Sequence, residues 1–457
     1  MDQNRVEQNQ IDKKALESLN YPYVSKALLF LFCGYVIIWY LQIGDRIHFL
    51  GSIRFEFIYA TILIAILIFK LGFQELYSPL QVYVVLLFLS MIVQIPFSYD
   101  FHTSWTVFIN RVVKFSFMAV FIAAFVKGPN GLKYFLGAFL LACFKLGQEG
   151  FIGNITGGLV WENQGVMRLN GPTPLYAHPN SFAGMALGTV PFIYYLMPIV
   201  PLWIKTVLSL GFVFAINIII FTASRTAYIA FLIFVFFAFL RSKFKKKFIV
   251  WGLVVALLGL PLLPQDYVDR FQSIFTGKDK EGHSTEKRKE IIIDAWQIFK
   301  DHPLGVGVAA FPAIRRNTFG RTQDTHNLYL EVATNLGIQG FIIFILFVFN
   351  MLKLLSSISK SANKQITELE RELHPQLTGA TEHLADLKLI YATSSATYMF
   401  IIVRLGLGMF GMDLYEIYWW FALGLTTALY NINKLTEKKT VVYQNMIVQN
   451  IGGVLGK

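Results

Sequence analysis

The sequence predicts an all-α polytopic membrane protein of about twelve transmembrane helices. Three observations carry that prediction. Hydrophobic residues make up 55% of the 457, and charged residues only 15%, where a soluble domain carries roughly 25%. The excess of Leu, Ile and Phe comes in long blocks. Most basic residues sit in short loops beside those blocks, so membrane orientation accounts for the net charge of +12 better than a nucleic-acid partner does. Cys33 and Cys143 each lie inside an apolar run, which excludes a disulfide framework and a thiolate metal site. The first 25 or so residues are polar, and the first apolar block is long enough to stay in the membrane.

Spans of about 20 apolar residues fall at 26–43, 54–70, 79–97, 105–126, 132–152, 178–198, 201–222, 224–241, 248–264, 337–355, 387–411 and 415–433. The sixth opens on "HPNS", where proline and asparagine favour a turn into a helix. The "RSKFKKKF" run at 241–248 is the strongest cytoplasmic anchor. Counting outward from it puts both termini in the cytoplasm, together with Lys127, Lys133 and Lys205. The chain then divides into a cytoplasmic segment 1–25, spans one to nine over 26–264, an outer loop 265–336, and the last three spans over 337–433. A solvated helical segment at 356–386 faces the cytoplasm, and the tail 434–457 carries no further signal.

The outer loop is the one long polar interruption. In it Arg288, Ile292, Ala295 and Phe299 recur at helical spacing, so an arginine shares a face with packing residues. That helix stops before Pro303, and "PLGVG" follows as a close-approach turn. The stretch "THNLYLEVATNLG" predicts a second helix, with Thr325 as N-cap and His326, Leu330 and Ala333 on one face. Another outer loop carries "RLNGPTPLYAHPNSFAG", whose glycine and prolines shape it rather than loosen it.

Ionisable residues inside spans are costly and usually functional. Arg111, Lys145 and Arg404 lie in three different spans, each about 9–11 Å below the outer boundary at 1.5 Å per residue. With Arg225 just above them they predict a basic outer chamber. Ion pairing offers the plainer account, since Glu149 stands four residues from Lys145, and Asp413 and Glu416 lie near the Arg404 span. Such a chamber binds an anion, and arginine forks match pyrophosphate oxygens. There is no P-loop, HExxH, zinc spacing or Asp-x-Asp motif. A lipid-linked pyrophosphoryl sugar fits an outward-facing site where a metal-bound nucleotide sugar does not.

The order "RLNGP…HPNSFAG", "SRTA", an arginine fifteen residues before "PLGVG", and "HNLYLE…G" resembles the O-antigen ligase/polymerase superfamily, mainly over 165–345. The resemblance implies a GT-C-type membrane glycosyltransferase of the bacterial cytoplasmic membrane, its large helical outer loop lying between spans nine and ten. It would need no cofactor or metal, would move a glycan from undecaprenyl pyrophosphate to a glycan or glycolipid hydroxyl, and would work beside other polysaccharide-assembly proteins. By motif, Arg225 and Arg288 would hold the pyrophosphate and His326 would activate or orient the acceptor. Arg111, Arg168, His178, Asn180, Asn327 and Arg404 would complete substrate binding. Many members place a tryptophan about four residues after the loop arginine. Here that position is Ile292, and Trp296 comes a turn later. The roles agree with the chemistry: arginines stabilise the leaving pyrophosphate, and a histidine kept neutral by nearby cations can take a proton. A single attack on C1 predicts inversion. Polymerase and ligase share these motifs, and the alternative class is a transporter of the same lipid-linked glycans, which would place its charges nearer the midplane.

Overall fold

A bilayer leaves backbone N–H and C=O groups no water to bond, so an apolar block that spans one must pair them within itself as a helix. The computed structural model describes residues 19–163, 165–242, 245–246, 250, 252, 264–276, 284–372 and 379–455. Each expected span on these residues is met by a helix: α1 (Lys26–Leu41), α2 (Phe55–Ile66), α3 (Gln81–Gln94), α4 (Phe101–Phe125, with a π-helical turn at Phe108–Val113), α5 (Pro129–Ile155), α6 (Pro179–Leu196), α7 (Leu202–Phe221) and α8 (Arg225–Arg241). The expected ninth span, 248–264, falls almost wholly outside the described residues. There follow α9 (Gln265–Thr276), α10 (Ser284–Asp301), α11 (Phe311–Phe319), α12 (Leu328–Glu372), α13 (Ala380–Gly408) and α14 (Ile417–Leu455). Among the described residues six helices are long and apolar enough to cross a membrane: α4, α5, α6, α7, α12 and α13; α1 and α3 are apolar but shorter.

The helix starts follow local chemistry. Ser25, Asp100, His178 and Ser224 each cap a helix by accepting a hydrogen bond from a backbone N–H of its first turn. Pro129 and Pro179 occupy first-turn positions, where a missing N–H costs nothing. The bundle then closes through α12 against α13, α14 against α4, α6 against α13 and α1 against α5. Aromatic rings fill its centre: Phe421 meets Phe139 at 4.8 Å, Phe400 at 5.4 Å and Phe135 at 5.9 Å. Between lipid-soluble helices the attraction comes from such packing and from small residues that let backbones approach. Gly424 is one, since a Cβ there would stand 2.7 Å from the Ala119 Cα.

Two features bring the segment before α12 onto the bundle. Gly337 breaks α12 with φ +70°, and a side chain there would meet the Leu304 backbone at 2.2 Å. The "PLGVG" segment runs through that notch: Ile338 N–H donates to Pro303 O at 2.9 Å, Val306 N–H to Thr334 O at 2.9 Å, and Tyr99 N–H to Val306 O at 3.0 Å. The loop before α6 carries a two-stranded antiparallel hairpin, β1 (Val160–Asn163) and β2 (Val166–Leu169), an exception to the all-helical expectation.

Of the segment expected as a solvated helix, residues 356–372 continue α12 and residues 380–386 open α13. One side of it packs, with Leu369 and Leu387 buried in a small core with Ile366, Leu384 and Tyr443. Residues 434–455 of the tail continue α14, and the His383 ring stacks on Tyr443 at 4.8 Å.

Candidate active site

Eight of the nine expected site residues line one cavity of about 700 Å³: Arg111, Arg168, His178, Asn180, Arg225, Arg288, His326 and Arg404. They come from α4, β2, the starts of α6, α8 and α10, the turn before α12, and α13. His178 and Asn180 open α6, Arg225 and Thr226 open α8, and Lys287 and Arg288 stand near the start of α10. Helix N-termini carry partial positive charge and unpaired N–H groups, so their gathering at one cavity adds to its attraction for anions. Six lining side chains are fixed cations (Arg111, Arg168, Arg225, Lys287, Arg288 and Arg404), against two carboxylates, Asp413 and Glu416.

The cations are held differently. Arg168 is buried; its Nε donates to Thr222 O at 2.7 Å and its Nη2 to Asn180 Oδ1 at 2.9 Å. It therefore ties the β-hairpin to the turn before α8 and to the start of α6. Arg404 donates to Gly184 O at 2.7 Å, lies 3.6 Å from Asp413 and stacks over Tyr418 at 3.2 Å. Arg111 meets Glu416 at 2.6 Å. Arg288 lies over the Phe410 ring at 5.6 Å. Lys145, expected in the same chamber, does not line it; it pairs with Glu149 at 3.5 Å, and Arg46 takes the same carboxylate at 2.7 Å. The pairing account holds there.

His326 stands at φ 45°, a left-handed conformation uncommon outside glycine and found at functional sites. It is not inside a helix, as its expected face with Leu330 and Ala333 required. The cap is Asn327, not Thr325: Asn327 Oδ1 accepts from Tyr329 N–H and Leu330 N–H at 3.0 Å each, and its amide donates to Met409 O at 2.9 Å. Asn327 does not line the cavity; it fixes the turn that presents His326. Burial lowers the His326 pKa, with Asp324 opposing and Arg288 and Arg315 adding to the drop. Burial also lowers that of His178, helped by Arg168 and by His326 itself. Both rings are thus held neutral at pH 7, the form that accepts a proton. Burial raises the carboxyls of Asp324 and Asp413 above their usual range, against the pull of His326 on the first and Arg404 on the second.

The packed face of α10 also differs from expectation. Ile291, Asp294, Ala295 and Ile298 are buried, while Ile292 is exposed. Asp294 anchors a tie that sequence reasoning missed. Arg315 of α11, fully buried, donates Nε to Asp294 Oδ2 at 2.9 Å and Nη1 to Gln323 O at 3.0 Å. Arg321 reaches the same carboxylate at 3.0 Å. The helix of Arg288 is thereby locked to the segment three residues before His326. Arginines were legible in the loop; their shared partner was not. Lys287, Gln323, Phe410 and Tyr418 also line the cavity without a local signal to mark them.

Among the described residues no three His, Cys, Asp or Glu side chains gather as a metal site. Residues 210–345 match the family model described as O-antigen ligase, a stretch that holds Arg225, Arg288 and His326. No curated protein matches the chain. The match supports placing the chain with the O-antigen ligase/polymerase superfamily, and with it ligase- or polymerase-type activity by a membrane glycosyltransferase-like enzyme.

Proposed function

We propose that the cavity transfers a glycan from undecaprenyl pyrophosphate to an acceptor hydroxyl, as a polymerase or ligase of surface polysaccharide. The observation that carries this reading is the convergence of six fixed cations and two neutral imidazoles in one cavity at the ends of membrane helices. A pyrophosphate suits the excess of cations over carboxylates in that lining. A twelve-span topology with both termini in the cytoplasm would turn the cavity outward in a bacterial cytoplasmic membrane.

The chemistry assigns each residue a task. The acceptor oxygen attacks C1 of the donor sugar, and the C1–O bond to pyrophosphate breaks. The bonding pair leaves with the pyrophosphate, where Arg225 and Arg288 meet the developing charge. The acceptor's proton passes to His326, or His326 orients that hydroxyl while the proton leaves with the phosphate. One displacement inverts the anomeric centre. Arg168 and Asn180 shape the wall beside Arg225, and Arg404, stacked on Tyr418, adds charge below it. Arg111 is paired to Glu416 and would exchange that partner for phosphate.

The test is product analysis with purified protein and one defined lipid-linked repeat unit. Chain growth means polymerase; transfer only with an added acceptor means ligase; translocation across vesicles without bond formation means transport and overturns the proposal. Arg288→Ala and His326→Ala are each expected to abolish transfer in a protein that still inserts and folds. Transfer is expected to survive EDTA, and strict metal dependence would remove the arginine mechanism.

A further inference from the structure

The surface of α10 divides into three arcs at about 100° per residue. Asp294, Ala295, Ile291 and Ile298 are buried against the protein. Glu290, Gln297 and Asp301 form a narrow polar arc, where Gln297 Nε2 donates to Asp301 at 3.0 Å. The third arc holds Ile292, Ile293, Trp296 and Phe299. Ile293 is 67% exposed and Trp296 56%, and the Trp296 and Phe299 rings meet at 5.8 Å. An aqueous face has no use for two isoleucines and a tryptophan in a row.

That arc continues an exposed apolar surface of the bundle. The end of α10 leads to Leu304, 70% exposed, whose carbonyl is held by Gln94 at the end of α3 and by Gln339 just past the α12 kink. From there Ile338, Ile342, Ile345 and Phe349 run down α12 as an exposed apolar stripe, the face a spanning helix shows to acyl chains. At its other end α10 places Arg288 over Phe410, two residues beyond α13. Both ends of α10 therefore lie level with the ends of spanning helices, so α10 runs along the membrane boundary. Lys289 and Lys300, both exposed, fall within the apolar arc about 16 Å apart along the axis. Lysines at the two ends of an apolar stripe, with tryptophan between, are the pattern of a helix seated at headgroup level.

We propose that α10 is an interfacial helix, seated in the leaflet that borders the cavity, with Ile292, Ile293, Trp296 and Phe299 in the acyl region and Lys289 and Lys300 on lipid phosphates. Arg288 sits between the lipid arc and the buried arc, so the same helix faces the bilayer on one side and the cavity on the other. A substrate with a lipid tail would then meet Arg288 without leaving the membrane. The seating itself does not depend on the proposed chemistry.

Nitroxide labels at Ile293→Cys and Gln297→Cys, in a Cys33→Ala/Cys143→Ala background, test it in nanodiscs of phosphatidylethanolamine and phosphatidylglycerol. The seated helix gives a several-fold higher ratio of oxygen to nickel-chelate collisions at 293 than at 297. Equal ratios at the two positions place the arc in water and overturn the proposal. Protection of 293 from both reagents, with spin–spin broadening, assigns the arc to a second copy and also overturns it. The measurement needs no substrate, so it succeeds or fails independently of transferase activity.

Discussion

Arg315→Met is expected to cost the enzyme most of its activity although Arg315 does not line the cavity. The guanidinium joins Asp294 on α10 to the carbonyl of Gln323, and so joins Arg288 to His326. Removing one partner of a buried ion pair costs about 3–5 kcal/mol. Asp294 keeps Arg321, whose side chain is 43% exposed and screened by water, so the lower end applies, about 3 kcal/mol. That loss falls on the docked state of the 320–326 turn. At 1.4 kcal/mol per factor of ten, kcat/KM should drop roughly one-hundred-fold. Helical content and melting of the bundle should change little, because its aromatic core lies elsewhere. The assay is the initial rate of transfer in nanodiscs from a fluorescent lipid-linked glycan, with circular dichroism alongside. A double variant, Asp294→Asn with Arg315→Met, should be little worse than Arg315→Met alone, since both changes cut one tie. Wild-type turnover in Arg315→Met refutes the coupling; so do losses that simply multiply in the double variant.

Two further outcomes follow from the same geometry. His326 has a lowered pKa, so its neutral form persists below the ordinary imidazole value of about 6.5; kcat/KM should hold through neutral pH and fall only below that value, and Arg315→Met, which removes a nearby cation, should move the acid limb upward. The groups that share this field with His326 are Arg288, Arg315, Asp324 and His178, and a limb that moves down instead would deny His326 the proton-accepting role. Gly188→Leu should raise the donor KM roughly tenfold with kcat little changed, because a Cβ there already stands 3.3 Å from Arg404 Nη2 and 3.1 Å from Phe400 Cε2, and overpacking costs about 1–3 kcal/mol; an unchanged KM takes Arg404 out of the donor site.

What the sequence made legible is what repeats along the chain. Apolar blocks mark helices because the bilayer demands internal hydrogen bonding, and each expected span on the described residues found one. Arg225 and Arg288 could be picked out because each sits at a helix start beside an apolar face. His326 could be picked out too, yet its presentation was misread. The helical period of "THNLYLEVATNLG" carries through His326, but the Asn327 side chain competes for the first-turn N–H groups and moves the helix start past it. The face of α10 slipped for a related reason. Isoleucines at 291, 292 and 293 give the period no single register, and the choice was made by Asp294, which had to meet Arg315.

The charge partners explain why the chamber itself was only half visible. Arg111 and Glu416 lie 305 residues apart in sequence and 2.6 Å apart in space. Nothing local distinguishes that arginine from Lys145, which stands at a similar depth in another span and is used by its own helix neighbour Glu149. Depth in the membrane therefore does not by itself bring a cation to the cavity wall. What separates the two is where the counter-ion comes from. A carboxylate one turn away on the same helix neutralises the cation in place. A carboxylate from the α13–α14 connection, as with Glu416 and Asp413, brings another element to the cavity and leaves both charges on its wall. Arg111 and Arg404 stay on the cavity wall beside Glu416 and Asp413, whereas Lys145 shares Glu149 with Arg46 away from it.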